Sequence, residues 1–193
     1  MTQAIRVIHD EHRALGAVLH GLLYVVREIR DRGAAPDFAL LEAMVRYIDA
    51  FPERYHHPKE DAHLFRLLRL RRPDAAPLLD RLQEDHRNGA TRIRELESAL
   101  ARYRDEGVAA FPPFAAAAES YTAFHSEHMH AEDTEVIPLA EQALTAADWE
   151  AIDAAFAGHT DPLLAPETGI ELERLFHRIV NLAPAPIGLG PAR

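Results

Sequence analysis

Apolar residues recur every three or four positions through most of the chain, and no sustained alternating run of β-branched residues interrupts them. That spacing is the signature of helices with one buried face, so the fold class expected is all-α. Ile5, Ile8, Leu15, Leu19, Leu22, Val26 and Ile29 share one stripe with His12, and Gly33 and Pro36 end it, which predicts a first helix over residues 3–32. A second helix is expected from Asp37, as N-cap, to Arg71, with a bend or broken turn where Pro52 and Pro58 each remove a backbone hydrogen bond. A third spans 74–106 and stops at Gly107, and a fourth runs over 112–143. Thr145 and Asp148 form a capping-box start for a short fifth helix at 149–156, and a last one is placed at 168–181 before a Pro- and Gly-rich tail. Links of a few residues between the long helices make neighbours antiparallel, which gives an up-down-up-down four-helix bundle.

Composition limits what such a bundle can do. The 193 residues are 48% hydrophobic and 27% charged, with a formal net charge of −10. These values suit one globular domain with an appendage, placed here at 1–143 and 144–193. The acidic balance, with arginines scattered among the acids, argues against nucleic acid as a partner, and an anionic membrane surface is disfavoured for the same reason. The longest greasy stretch, Leu15 to Val26, is broken by His20 and too short to span a bilayer. The N-terminal residues have no secretory pattern, so the expected location is cytoplasmic. There is no cysteine, which removes disulfides, thiolate metal sites and cysteine nucleophiles. What stands out is 12 histidines.

Their placement carries chemistry. The second helix contains His56-His57-Pro58-Lys59-Glu60-Asp61 and the fourth His128-Met129-His130-Ala131-Glu132-Asp133. Four residues of helix turn through about 400°, so His56 and Glu60, like His128 and Glu132, lie about 40° apart and one turn along. The first and third helices carry Asp10-Glu11-His12-Arg13 and Glu84-Asp85-His86-Arg87. His12 and His86 are 74 positions apart, and the His56/His128 and Glu60/Glu132 pairs are each 72 apart, as two copies of one helix pair would be. Four imidazoles and two carboxylates converging in a bundle need a common partner to offset their desolvation, and a metal satisfies all six. Nitrogen and oxygen donors without sulfur suit iron, manganese or zinc, and a carboxylate from each half suits a bridge between two ions.

In these motifs the chain resembles the hemerythrin-like (HHE) proteins, over about residues 3–143: His12, then His56-x-x-x-Glu60 leading into Leu-Phe, then His86, then His128-x-x-x-Glu132 leading into Val-Ile-Pro. The resemblance implies a non-haem di-iron centre, with His12, His56, His86 and His128 as terminal ligands and Glu60 and Glu132 as bridges. It also implies that dioxygen, nitric oxide or available iron is what the centre binds or responds to. One departure matters: oxygen-carrying hemerythrins take two histidines, four residues apart, from the third helix, and here position 90 is Ala90. His9 and His125, each three residues before a proposed ligand, and His57, beside another, are the candidates for additional ligands. Asp10, Asp61, Asp85 and Asp133 are candidates to orient imidazoles.

Two other readings use the same residues differently. A di-metal enzyme, oxidase, peroxidase-like or hydrolytic, would need a general acid or base that the sequence does not single out. Glu53-x-x-His56 and Glu127-x-x-His130, with Glu11 and Glu84, match the ferritin-like di-iron pattern, but those folds need a long crossover and the link at 72–74 leaves no room for one. A homodimer is a candidate assembly, with the segment after Ala143 docking a second subunit.

Overall fold

The computed structural model describes residues 2–52, 56–157, Ile179 and Asn181. Among these it is all-helical, with no strand. Helix α1 (Gln3–Arg32) opens where the Thr2 hydroxyl accepts from Ile5 N–H and closes at Gly33, whose φ of 64° is the left-handed conformation that a side chain would strain. Helix α2 (Phe38–Phe51) starts from Asp37, whose carboxylate accepts from Leu40 N–H at 3.0 Å. After it come a single turn, α3 (His57–Lys59), a π-helical turn (Glu60–Phe65) and α4 (Arg66–Arg71). The helix expected over 37–71 is therefore interrupted in the region of its two prolines, and residues 53–55 lie outside the described residues.

A 3₁₀ turn at Pro73–Ala75 leads into α5 (Ala76–Glu106), and another at Gly107–Ala110 into α6 (Phe111–Ala131). A second π turn (Glu132–Val136) separates α6 from α7 (Ile137–Ala143). Helix α8 (Ala146–Ala157) begins with the reciprocal cap foreseen from the sequence: Asp148 N–H donates to the Thr145 hydroxyl at 3.2 Å, and Thr145 N–H to the Asp148 carboxylate at 2.9 Å. Of the helix expected at 168–181, only Ile179 and Asn181 are described, both helical, and the tail lies outside the described residues.

Helix α1 packs against α2 and α6, and α5 packs against the same two, so four helices close a ring. Helix α8 lies on α1 and on the first π turn. Two apolar clusters fill this bundle. One contains Leu15 to Val26 of α1, Leu40 to Ile48 of α2, Ile93 and Leu96 of α5 and Phe114 to Tyr121 of α6, joined by Ile179. The other contains Ile5 and Ile8 of α1, Leu64, Phe65 and Leu68, Leu79 and Leu82 of α5, Val136 and Ile137, and Ile152 and Phe156 of α8. On α1 the break between clusters falls at Glu11 and His12, on α5 around His86, and on α6 around His125 and His128. A buried polar layer thus separates two apolar cores, each of whose large side chains contributes roughly 1.5–3 kcal/mol by leaving water. No described helix is long and apolar enough to cross a membrane.

Candidate metal centre

The polar layer is assembled from α1, α5, α6 and the segment that follows α2. Helix α1 brings Glu11 and His12, the segment into α3 brings His56 and His57, α5 brings His86, and α6 brings His125 and His128. Glu60 and Glu132 each open a π turn, so both halves of the duplication carry the same local widening at the same residue. Such single π turns inside α-helices recur at functional sites. Their insertion was not legible from periodicity, because the apolar stripe on each side of the turn reads as ordinary α-helix and the phase shift of about 100° falls within the polar layer, where no apolar residue marks it.

The six residues singled out by the duplicated spacing come together. All are buried, from Glu60 at 0% exposure to His86 at 7%. His12 Nε2 lies 3.0 Å from His56 Nε2, and His86 Nε2 lies 3.0 Å from His128 Nε2. The two carboxylates stretch between these pairs. Glu132 places Oε2 at 3.3 Å from His12 Nε2 and Oε1 at 3.2 Å from His128 Nε2. Glu60 places Oε1 at 3.4 Å from His56 Nε2 and Oε2 at 3.8 Å from His86 Nε2. Ligand-capable atoms of His12, His56, Glu60 and Glu132 lie within 4.8 Å of one another, as do those of Glu60, His86, His128 and Glu132.

The outward nitrogen of each imidazole faces a carboxylate. His56 Nδ1 is 2.8 Å from Glu11, His12 Nδ1 3.0 Å from Asp133, His86 Nδ1 3.2 Å from Asp61, and His128 Nδ1 3.5 Å from Asp85. The first two contacts are hydrogen bonds, which keep the proton on Nδ1 and leave the Nε2 lone pair facing inward, the arrangement that serves metal-bound histidines, while Asp61 and Asp85 stand close to their imidazoles without one. Asp61, Asp85 and Asp133 were foreseen as partners of imidazoles. Asp10 was too, but it is exposed and paired with Arg13, and Glu11 does its work from inside the bundle. The offset of 74 that relates His12 to His86 also relates Glu11 to Asp85, and that was the signal for it.

The pairing crosses the duplication. His12 of the first half is held by Asp133 of the second, and His86 of the second by Asp61 of the first, whereas His56 and His128 are held within their own halves.

The remaining candidates separate cleanly. His57 is buried and stacked on His86, with ring centroids 4.0 Å apart, and one of its nitrogens lies within 4.8 Å of His86 and His128. His125 is 1% exposed with no hydrogen bond at either ring nitrogen, and burial, reinforced by His128, lowers its pKa to about 3. His9 stands at the rim, 3.6 Å from Asp133. His20 and His130 are exposed and His63 half-buried, while His159 and His177 lie outside the described residues. The ferritin-like alternative does not converge: Glu127 and His130 are exposed, Glu84 is exposed and bonded to Arg87, and Glu53 lies outside the described residues.

The charges of this layer are unbalanced without a cation. Burial pushes the Glu60 carboxyl well above the usual range, and the Glu132 charge beside it adds to that push. Glu132 goes well below it: burial opposes its ionisation, but His128, His12 and His86 outweigh that. Of the two facing carboxylates, Glu60 is therefore the one favoured to carry a proton. Burial likewise depresses His12 and His86, but the nearby carboxylates of Asp133 and Glu132 in one case, and of Asp61 and Glu132 in the other, raise each to about 9.

Protons thus stand where a divalent cation would serve better. All four carboxylate oxygens of Glu60 and Glu132 are buried without a hydrogen-bond donor. A cation with bonds of about 2.1 Å to nitrogen sets neighbouring ligand atoms about 3 Å apart, the spacing of both Nε2 pairs. The donor set fits a pair of first-row metal ions.

The family described as Hemerythrin HHE cation binding domain matches residues 3–140, and the chain belongs to it. No curated protein and no solved structure matches the chain significantly.

Proposed function

We propose that this member of the hemerythrin HHE family is an up-down-up-down four-helix bundle that holds two iron ions and uses them to bind or respond to dioxygen, nitric oxide or iron supply. His12 and His56 would hold one ion, His86 and His128 the other, with Glu60 and Glu132 bridging. Residues 1–143 form the bundle and 144–193 the appendage. The observation that carries this reading is that each carboxylate directs one oxygen toward each imidazole pair, so two ions are served by one shared set of donors.

When bound and reduced, an iron pair supplies electrons and an open position to a diatomic ligand. The chain's own residues prepare that chemistry. Glu11 and Asp133 orient two of the imidazoles and hold their outer protons, and Asp61 and Asp85 stand beside the other two. Leu15, Leu64, Phe65 and Val136, all buried, wall the layer above and below and keep bulk water from it.

The test is metal analysis of protein purified without added metal, paired with an anaerobic-to-aerobic optical titration. Two irons per chain, with a visible band that responds to dioxygen or nitric oxide and disappears in Glu132→Ala, is the expected outcome. No metal under any loading condition overturns the proposal, and zinc or manganese without an optical response transfers it to a di-metal hydrolase or a structural site.

A further inference from the structure

The end of the bundle where α1 passes into α2 and α5 into α6 is apolar and open. Residues 33–36 and 107–118 are Gly, Ala, Pro, Val and Phe throughout, without one polar side chain. Phe114, Ala115 and Ala118 are buried in the first apolar cluster, but Ala34, Ala35, Val108, Ala109, Pro112 and Ala116 remain exposed. Val108, on the 3₁₀ turn, is 83% exposed, the highest of the large apolar side chains among the described residues. It stands at the rim of a cavity of about 560 Å³ walled by Ile29 and Pro36 from the α1 side and by Tyr103, Phe111 and Ala116 from α5 and α6. Exposed apolar surface of this kind marks a contact site, and here a projection and a recess share one face.

The charges around that face say what kind of partner fits. Residues 30–37 and 102–119 hold four arginines and five acids, so this end is nearly neutral in a chain of net charge −10. Each of the four arginines meets a carboxylate of its own chain: Arg30 with Glu119 at 2.7 Å, Arg32 with Glu28 at 3.1 Å, Arg102 with Glu106 at 3.0 Å and Arg104 with Glu42 at 2.8 Å. None of the four is free to draw an anionic polymer or lipid, whereas two copies of the chain, which repel over the rest of their surface, meet here without repulsion. Pro36, Pro112 and Pro113 have no N–H to leave unpaired in a contact. The segment after Ala143, expected to dock a second subunit, offers less: Ile152 and Phe156 of α8 are fully buried in their own bundle.

We propose that this end is the contact between two copies of the chain, joined end to end about a two-fold axis with Val108 of each seated in the groove of the other. A two-fold contact requires the projection and the recess to lie on the same face, as they do here. Four helices about 10–12 Å across present roughly 400–600 Å² per copy, so the total lies near the lower limit for a specific interface and association is reversible, in the micromolar range. Tyr103, in the groove wall, stands 17 residues along α5 from His86, about 25 Å of helix, so the contact is separate from the polar layer and does not depend on what that layer binds.

Sedimentation velocity of the full chain from about 1 to 200 µM reads the assembly, and the wild type should pass from monomer to dimer within that range. Val108→Asp puts a charge into the apolar seat and Ala116→Arg fills the groove; each should weaken association by about a hundredfold or more, with helical content unchanged. Leu70→Asp, at an exposed apolar side chain of α4, should dimerise as the wild type does. Mixing Val108→Asp with Ala116→Arg should restore a dimer, because in a two-fold pair the new carboxylate faces the new guanidinium in one seat while the native valine and alanine fill the other. A wild-type chain that stays monomeric up to about 200 µM, as it would if its own residues 182–193 filled the groove, overturns the inference. So does a Val108→Asp chain that dimerises as the wild type does, or a mixture of the two variants that stays monomeric.

Discussion

Glu11→Gln tests whether the outer carboxylates tune the proposed site. The substitution keeps the size of the side chain and an oxygen that can still accept from His56, but removes the negative charge. Of the four carboxylate–imidazole contacts this one is the shortest, at 2.8 Å, and both side chains are 3% exposed. Asp133 and Asp61, at 3.0 and 3.2 Å, are 38% and 35% exposed, and Asp85, at 3.5 Å, is 22% exposed. Loss of an outer partner of a metal-bound histidine typically costs 10–100-fold in affinity, about 1.4–2.7 kcal/mol. Water screens the aspartate contacts more strongly than the buried one. Glu11→Gln should therefore fall near the upper end, Asp133→Asn and Asp61→Asn nearer tenfold, and Asp85→Asn lowest because its contact is longest. Asp10→Asn, one residue from Glu11 but exposed and engaged with Arg13, should leave affinity unchanged. Competition against a chelator of known strength, with Zn(II) as probe, reads these differences directly. Wild-type affinity in Glu11→Gln, or a loss in Asp10→Asn as large as in Glu11→Gln, would refute the reasoning.

Three further outcomes follow from the same geometry. In the metal-free protein His12 and His86 titrate at about 9 against 6.5 when unfolded, so the stability they add is complete below pH 6.5 and is lost as pH rises through 9; Glu60, also raised, adds to the loss on the alkaline side. Metal-free thermal stability should decline across that window, and a rise in Tm there would show the assignment wrong. Glu60→Gln replaces a carboxyl that burial already favours as neutral, so the metal-free chain should keep or gain stability at neutral pH while its metal stoichiometry drops below two, measured by Tm and elemental analysis. Thr145→Ala removes half of the α8 capping box and should cost about 1 kcal/mol in denaturant unfolding without altering metal content; a change in metal stoichiometry would mean that α8 supports the site more directly than its packing on α1 and the first π turn indicates.

Spacing along the chain was enough to find the all-helical class, the first helix almost to the residue, the Thr145–Asp148 cap and the six inward-facing side chains. Helical periodicity assigns each residue to a face, and a repeated offset of 72 to 74 residues singles out side chains that must meet if two similar halves pack together. The same periodicity could not distinguish Asp10 from Glu11. They are neighbours about 100° apart, and which one turns inward depends on where α1 meets the other helices. Nor could it show the π turns, since a single wide turn at Glu60 and at Glu132 is a response to what surrounds those carboxylates. The exchange of Asp133 and Asp61 between halves, and the placing of His57 beside His86 while Lys59 faces Phe156, are also tertiary outcomes. They join residues from 25 to 121 positions apart, and only the packing of one helix on another decides which of several polar neighbours comes within reach. The sequence alone determined which groups could hold a metal pair; the folded bundle decided which carboxylate holds each imidazole and made the two sides of the site different.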